Sequence, residues 1–316
     1  MRIFEKRNFA VVLLALALAL TISFSAPSAQ AQSTLKIVTT TTDLASLAQA
    51  VGGDRVEVNA IARGYQDPHF VEAKPSFLLQ LRRADLLIIV GLQLEIGWLP
   101  PLITQSGNPR IQTGAGGYLD ASQFAQILEV PTEVVTRAMG DVHPFGNPHY
   151  WLDAGNGRRV AQGIAQKLYA MRPADAAYFQ QRLQAFNDRL TQEEQNWNAM
   201  MQPYRGRKVV TYHRSWPNFL NHFGLVSAGQ VEPRPGIPPT PSHTIELINM
   251  MKRDNVKIIL VEPYFDLKMP NSIARQTGAQ VVVLPPSVGG EKEITDYFTL
   301  FNYDLALLVK ALQAAQ

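Results

Sequence analysis

Short apolar runs alternate with segments of helical periodicity in the first part of the chain. Residues 35–40 and 56–61 are rich in β-branched side chains, and 85–91 is apolar almost throughout, which is typical of a strand buried on both faces. We predict strands over these three runs, a further short strand around Ile111, and helices over 44–51 and 75–83. This strand–helix–strand rhythm usually produces a mostly parallel sheet covered by helices.

The pattern changes after Asp153. From 156 to 201, apolar residues recur at helical spacing with almost no strand signal, and Pro173 predicts a kink or break within this run. The strand–helix rhythm then returns and continues to the end of the chain. We predict strands over 208–211, 225–227, 258–261 and 281–284, and helices over 216–222, 242–253, 272–277 and 295–315.

These elements predict an α/β protein of two lobes, each with a mostly parallel sheet and covering helices, joined by a long helical segment. The boundaries that follow are 32–153 for the N-terminal lobe, 154–202 for the linking helix and 203–316 for the C-terminal lobe. Ligands of such sheets bind beyond the carboxyl ends of the strands, so we expect a site in the crevice between the lobes.

Residues 1–31 have the pattern of a cleavable signal peptide. A basic start is followed by an apolar stretch over 11–24 and by Ala29-Gln30-Ala31, a small-x-small cleavage signature. The apolar stretch is short for a membrane span. We therefore expect an exported protein in the periplasm. Because the sequence has no cysteine, we also expect no disulfide, no thiolate metal ligand and no lipid anchor.

Charge argues against one class of partner. The formal net charge of +3 includes the basic excess of residues 1–31, so the remaining chain is close to neutral. Lysine and arginine are scattered without a basic stripe, and we expect no nucleic-acid partner. The apolar content of 46% is ample for buried cores, and we expect a monomer.

His69, His149 and His213 lie at predicted strand ends or tight turns in three separate segments. Neutral imidazole is the commonest protein ligand for zinc and related cations. Pro68 and Pro148 each precede one of these histidines and restrict the backbone there. Each histidine taken alone is equally compatible with an ordinary loop residue. The three together predict a metal site assembled by folding.

Glu262 is the candidate for a fourth ligand. It directly follows the apolar run 258–261, so its carboxylate is expected at the end of a buried strand, in the same crevice as the histidines. A salt bridge or a helix N-cap is the alternative role for this residue. His222 lies on the helix after His213, and we expect it to be structural.

Four segments carry a resemblance to a known family: Asp67-Pro68-His69-Phe70-Val71-Glu72-Ala73-Lys74-Pro75-Ser76, Asn147-Pro148-His149-Tyr150-Trp151-Leu152-Asp153, Tyr212-His213 through Phe223-Gly224-Leu225, and Val261-Glu262-Pro263. The chain resembles the metal-binding solute receptors of ABC importers, cluster A-I, which deliver zinc or manganese. The resemblance covers essentially all of the chain after residue 31. It implies two α/β lobes bridged by one rigid long helix, with the ion between them and His69, His149 and His213 as its ligands.

The chain departs from this family in two loops. Many relatives supply an Asp ligand after the last strand, whereas 284–290 here contains no carboxylate. The fourth position therefore goes to Glu262, to a water or to another loop residue. Many zinc receptors also carry a His- and acid-rich insertion, of which 139–146 has only Asp141 and His143. That loop is either an ordinary turn or one that passes metal inward or closes over the site.

The leading hypothesis is a binding protein, not an enzyme. It captures a divalent metal ion in the periplasm and presents it to an ABC transporter permease in the inner membrane. Three imidazoles favour Zn²⁺ over Mn²⁺, which prefers sites richer in carboxylate. The alternative is a secreted zinc-dependent hydrolase, since three histidines and an open position also hold catalytic zinc, although no paired carboxylates or closely spaced histidines support it. A receptor for an organic solute is a third interpretation of the architecture.

Overall fold

Two four-stranded parallel sheets form the framework of the protein. The computed structural model describes residues 34–136, 139–140 and 142–315. Helices cover the sheets, so the predicted α/β class with two lobes is confirmed. The predicted signal peptide, 1–31, lies outside the described residues. None of the described helices is long and apolar enough to cross a membrane.

The N-terminal sheet has the strand order β2-β1-β3-β4. Alternate residues of its third strand enter two different apolar clusters, Leu86 and Ile88 on one face and Leu87 and Ile89 on the other. An all-apolar sequence is therefore required there, because both faces of the sheet are covered. The strands are β1 (Leu35–Thr39), β2 (Val56–Ala60), β3 (Leu86–Ile89) and β4 (Tyr118–Asp120), and the helices are α1 (Thr42–Gly52), α2 (Pro75–Arg83) and α3 (Leu99–Ser106).

Two elements of this lobe differ from the prediction. The strand expected around Ile111 is wrong, because Ile111 ends a short 3-10 turn (Pro109–Ile111) and the fourth strand lies further on, at β4. Helix α3 is absent from the predicted elements because Pro100 and Pro101 argue against a helix interior. Both prolines lie in its first turn, where a missing backbone N–H leaves no intrahelical hydrogen bond unmade.

The segment between the sheets is helical, with the break that Pro173 predicts. Helices α4 (Ala154–Met171) and α5 (Ala176–Met201) are separated by a 3-10 turn at Pro173–Asp175. Helix α4 begins at Asp153, whose carboxylate accepts hydrogen bonds from two backbone N–H groups of its first turn. Helix α5 has 26 residues and is the long helix that links the lobes.

The C-terminal sheet has the strand order β6-β5-β7-β8. Its strand β7 is fully buried, as its apolar sequence predicts. The last helix begins with a capping box, in which Asp296 and Thr299 each accept from the other's backbone N–H. The strands are β5 (Lys208–Thr211), β6 (Val226–Gln230), β7 (Ile258–Val261) and β8 (Gln280–Val283), and the helices are α6 (Pro217–Phe223), α7 (Pro241–Arg253), α8 (Lys268–Thr277) and α9 (Tyr297–Ala314).

The lobes share one continuous apolar core, which includes residues of both sheets and of the linking helices. Gly157 of α4 lies so close to the Tyr297 ring of α9 that a Cβ there would meet the phenol at 2.3 Å. Buried hydrogen bonds add to this contact, from Trp151 Nε1 to the Pro286 carbonyl (2.8 Å) and from the Val288 N–H to Asp43 (2.9 Å). These contacts pack the two lobes against each other.

Candidate metal site

The three predicted histidines converge on one point. One nitrogen from each of His69, His149 and His213 lies within 4.8 Å of the other two, and all three residues are buried. The ring centroids are 5.2, 5.5 and 5.7 Å apart, so no side chain separates the rings. Folding therefore assembles an imidazole cluster from three distant segments.

The route by which two of these histidines reach the site differs from the prediction. His213 follows β5 closely, as predicted. His69 instead lies in the loop between β2 and α2, and His149 directly precedes a 3-10 turn, so neither of these two lies at the end of a strand. Asx turns position them instead. Asp67 Oδ1 accepts from the His69 backbone N–H and Asn147 Oδ1 from that of His149, each at 2.9 Å.

Each imidazole has an oxygen acceptor at Nδ1. His69 is held by Asp67 at 2.7 Å, His149 by Asn147 at 3.1 Å and His213 by Glu232 at 2.7 Å. An acceptor at Nδ1 favours the tautomer that carries its proton there, so that the lone pair lies at Nε2, where a cation could bind. The Nε2 atom of His69 also contacts His143 Nε2 at 3.2 Å. His149 Nε2 is buried and has no hydrogen-bond partner among the described residues, which suits an atom that binds a metal.

Asp67, Asn147 and Glu232 were not among the predicted site residues. Asp67 and Asn147 carry a recognisable signal, because each stands two residues before a histidine in the same Asx-Pro-His arrangement. Glu232 carries none, since it is 19 residues from His213 in sequence. It arrives there because β6 pairs with β5 and the Glu232 N–H donates to the Tyr212 carbonyl at 3.1 Å.

The surroundings of His213 and of His149 shift the pKa values of these two residues in opposite directions. Burial works to lower the pKa of His213, but the hydrogen bond to Glu232 and the charges of Glu262 and Glu232 outweigh it, so this pKa is raised. Burial lowers the pKa of His149 well below its usual value, and the neighbouring histidine charges lower it further. His149 is therefore kept neutral, whereas His213 gains a proton more readily than a free imidazole.

Glu262 directly follows β7, as predicted, and is fully buried. Neither of its carboxylate oxygens makes a well-formed hydrogen bond among the described residues, although the Ser215 side chain lies near enough to lower the pKa of Glu262. Burial raises its pKa, and the charge of His213 opposes that rise. Glu262 is not a member of the group of three ligand atoms within 4.8 Å, so it stands next to His213 rather than inside the cluster.

His143 lies against the cluster from the outside. Its Nε2 is 3.2 Å from His69 Nε2, and the two rings are 5.3 Å apart. Burial and the charge of His69 lower the pKa of His143 to about 3. This placement favours a role of the loop at the site over an ordinary turn. Asp141 of the same loop lies outside the described residues.

A cavity of about 320 Å³ opens onto His143, His149 and His213. Glu129 is its one carboxylate among the described lining residues, and both Glu129 oxygens are engaged by Arg214. A hydrolytic zinc centre requires a base that reaches the metal-bound water. Because Arg214 binds both Glu129 oxygens, this carboxylate is poorly placed to be such a base, and the site is better suited to holding a cation between buried imidazoles.

His222 is separate from the cluster. Its Nδ1 contacts the Asp153 carboxylate at 3.2 Å, and Asp153 caps the first turn of α4. The Asp153 hydrogen bonds join α4 to helix α6, on which His222 lies. The contact agrees with the structural role expected for His222.

The chain matches a family model described as zinc-uptake complex component A, periplasmic, over residues 37–311. Similar curated proteins include the manganese ABC transporter substrate-binding lipoprotein PsaA of Streptococcus pneumoniae and the metal ABC transporter substrate-binding lipoprotein FimA of Streptococcus parasanguinis. Each is 24% identical over 286 residues and covers 88% of this chain and 89% of the relative.

Solved structures share the fold. A crystal structure of ZnuA is similar with a TM-score of 0.74 and 26% identity, covering 88% of this chain and 99% of that chain. A zinc-bound ZnuA deletion mutant has the same TM-score and identity. A Mn-bound periplasmic metal binding protein from Candidatus Liberibacter asiaticus has a TM-score of 0.72 at 18% identity, covers 89% of this chain and 100% of that chain, and shows the fold alone.

One expectation about location is wrong. The absence of cysteine led us to expect no lipid anchor, but PsaA, FimA and the Streptococcus sanguinis relative SsaB are all named lipoproteins. The names of these relatives contradict that expectation. A location outside the cytoplasm is consistent with all of them.

Proposed function

Because this chain belongs to the family of zinc-uptake complex component A, periplasmic, we propose that it captures Zn²⁺ outside the cytoplasm and delivers it to an ABC importer. It is a metal-binding substrate-binding protein of the ABC importer class, and this family consists of solute receptors rather than enzymes. The choice of zinc, the ligands and the delivery step are the parts that we propose.

The observation that carries the proposal is the convergence of three imidazoles, each with an oxygen acceptor at Nδ1. Imidazole nitrogen suits Zn²⁺, whereas Mn²⁺ prefers a set richer in carboxylate and water oxygen. The similar zinc-bound ZnuA structure supports zinc, and the names of the streptococcal relatives support manganese. The donor atoms of this chain favour zinc, because the nearby carboxylates of Asp67 and Glu232 are already hydrogen-bonded to histidine Nδ1 atoms.

We assign the inner ligands to His69, His149 and His213. Asp67, Asn147 and Glu232 orient them through Nδ1. Glu262 acts at the metal through His213 or through a bound water, since its buried carboxylate is close enough to raise the pKa of that histidine. The functional division that accompanies this assignment is 32–153, 154–202 and 203–316, with the ion held between the first and third of these parts.

Delivery requires a partner that receives the ion. The partner proposed is the membrane permease of an ABC importer, which the receptor meets outside the cytoplasm. The cavity beside His149 and His213 gives an ion a path to the cluster and back. No catalytic step is needed for this role, because a receptor has only to bind the ion and release it.

A binding titration tests the proposal. The purified protein, stripped of metal, is titrated with Zn²⁺ and with Mn²⁺ in competition with a chelating dye. We expect one ion per chain and tighter binding of zinc than of manganese. Tighter binding of manganese would overturn the choice of metal, and no binding of either ion would overturn the site. Hydrolysis of a nitrophenyl ester by the zinc-loaded protein would support the hydrolase instead.

A further inference from the structure

A carboxylate of the N-terminal lobe reaches across to the C-terminal lobe at the edge of the site. Glu129 Oε2 accepts from Arg214 Nε and Glu129 Oε1 from an Arg214 terminal nitrogen, each at 2.9 Å. Two parallel hydrogen bonds of this kind fix a carboxylate and a guanidinium in one relative orientation. Both side chains are partly exposed and border the cavity that leads to His149 and His213.

This pair is joined to the metal site from both sides. Asn147 Nδ2 donates to Glu129 Oε2 at 3.0 Å and to the Arg214 carbonyl at 2.8 Å, while Asn147 Oδ1 holds His149. Arg214 is the next residue after His213. A connected path therefore runs from His149 through Asn147, Glu129 and Arg214 to His213, and it crosses from one lobe to the other.

The backbone at Glu129 supports a specific role for its side chain. Its φ is +55°, in the left-handed region that residues other than glycine rarely adopt. Such a conformation persists where the surrounding structure fixes it. Here it presents the carboxylate to Arg214 and Asn147 together, and the Leu128 carbonyl accepts from the Asn147 N–H at 2.9 Å.

We propose that the Glu129–Arg214 pair is a latch that keeps His149 and His213 at metal-binding distance and slows release of the bound ion. Glu129 and Arg214 are positioning residues in this role, because neither supplies a ligand atom. The inference rests on the proposed function, since it concerns the lifetime of a metal complex at the same three histidines. Opening the site separates the two histidines, and the latch must break before they part.

The fully buried hydrogen bonds between the lobes are of a different kind. The Trp151–Pro286 and Asp43–Val288 hydrogen bonds lie within buried structure, and neither contains a pair of opposite charges. The latch is partly exposed, with 44% of the Arg214 side chain accessible. Salt therefore weakens the latch while leaving the buried contacts unchanged.

The test measures the rate at which bound zinc passes to an excess of chelator in stopped-flow mixing. Glu129→Gln keeps an oxygen for Asn147 and removes the charge, while Arg214→Met removes the partner. We expect each variant to release zinc about 3- to 10-fold faster than the parent, as loss of a well-aligned, partly exposed ion pair predicts. The double variant should match either single variant, because both break the same interaction.

The salt dependence of the zinc release rate distinguishes the latch from a merely structural role of these residues. Raising NaCl from 20 to 500 mM should speed release from the parent and have little effect on Glu129→Gln. Lys208→Met is the matched control, because Lys208 makes a 2.8 Å ion pair with Asp254 at similar exposure in the same lobe and away from the site. Its release rate and salt dependence should equal those of the parent.

Arg214→Lys is a second variant for use if a charge-removing variant fails to fold. It keeps the positive charge but cannot make the two parallel hydrogen bonds of the guanidinium. Its release rate should lie between those of the parent and Arg214→Met. If the parent binds zinc and the Glu129 and Arg214 variants release it at the parent rate with the parent salt dependence, the latch is wrong and the proposed function stands. A parent that binds no metal would overturn both.

Discussion

Asn147 Oδ1 lies 3.1 Å from His149 Nδ1, and the opposite nitrogen of the same ring, Nε2, is buried without a hydrogen-bond partner in the described parts of the chain. A fully buried imidazole that uses one nitrogen and leaves the other bare is unfavourable unless a ligand completes it. The three histidines lie together at this point, where a divalent cation would give His149 Nε2 the partner that it lacks among the described residues. The proposed function follows from this relationship.

His149→Ala should weaken zinc binding by more than about 100-fold, because loss of a direct ligand costs more than the ~10–100-fold typical of a residue that only orients one. Dye competition measures the dissociation constant. His222→Ala is the control, since His222 binds Asp153 and not the cluster, and it should change the constant little. A His149→Ala protein that binds zinc as tightly as the parent would remove His149 from the ligand set.

Asp67 should matter through His69. Asp67→Ala removes the oxygen that holds His69 Nδ1 at 2.7 Å, and zinc binding should weaken by ~10–100-fold. Asp67→Asn retains an oxygen acceptor without the charge and should have a smaller effect. Equal effects of the two substitutions would show that charge alone, and not ring orientation, is what Asp67 contributes.

The sequence predicts most of the framework because the buried strands are distinctive. Strand β3 and strand β7 are apolar throughout, and each occupies the middle of its sheet with both faces covered. Strand β4 escapes prediction because only Leu119 of its three residues is buried, so no apolar pattern marks it. Edge strands of this length depend on tertiary pairing with β3 rather than on local sequence.

The site is predictable only as far as its chemistry is local. His69 and His149 stand in matching Asx-Pro-His turns, and the Asx residue two positions earlier marks the Nδ1 acceptor in each. Glu232 and Glu129 act on parts of the site far from them in sequence, at His213 and Arg214. The position of Glu232 depends on the pairing of β5 with β6, and that of Glu129 on its own positive φ. No short sequence motif predicts either feature.

Zinc affinity should fall as the pH falls, with His213 responsible for part of the loss. Its pKa is raised above 6.5 by Glu232 and Glu262, so the metal-free site gains a proton at His213 as the pH falls through that raised value. Zinc must displace this proton, and binding is therefore tightest above it. His149 adds no such dependence, because its pKa lies well below 6.5.

Glu232→Gln tests this assignment. The substitution removes the charge that raises the pKa of His213, so the fall in zinc affinity should shift to lower pH. The measurement is the dissociation constant between pH 5 and 8 for the variant and the parent. The quantity to compare is the pH at which zinc affinity falls, not the affinity at any one pH. If that pH is the same in the variant and the parent, the role assigned to Glu232 is contradicted.

Glu262→Gln preserves shape and removes a buried charge beside His213. Because Glu262 lies outside the group of three ligand atoms, we expect weakening by ~10–100-fold with an unchanged number of imidazole ligands. Dye competition gives the affinity, and the X-ray absorption spectrum at the metal edge gives the coordination. A greater loss with a changed coordination number would make Glu262 a direct ligand. An unchanged constant and spectrum would leave it a structural residue.

The most direct measurement is crystallography at the zinc absorption edge on protein purified without added metal. We expect one anomalous peak per chain, about 2.0–2.1 Å from Nε2 of His69, His149 and His213, which is the usual zinc–imidazole distance. The peak should vanish just below the zinc edge. A peak bound to other residues, or one that persists at the manganese edge with mostly oxygen ligands, would contradict this expectation.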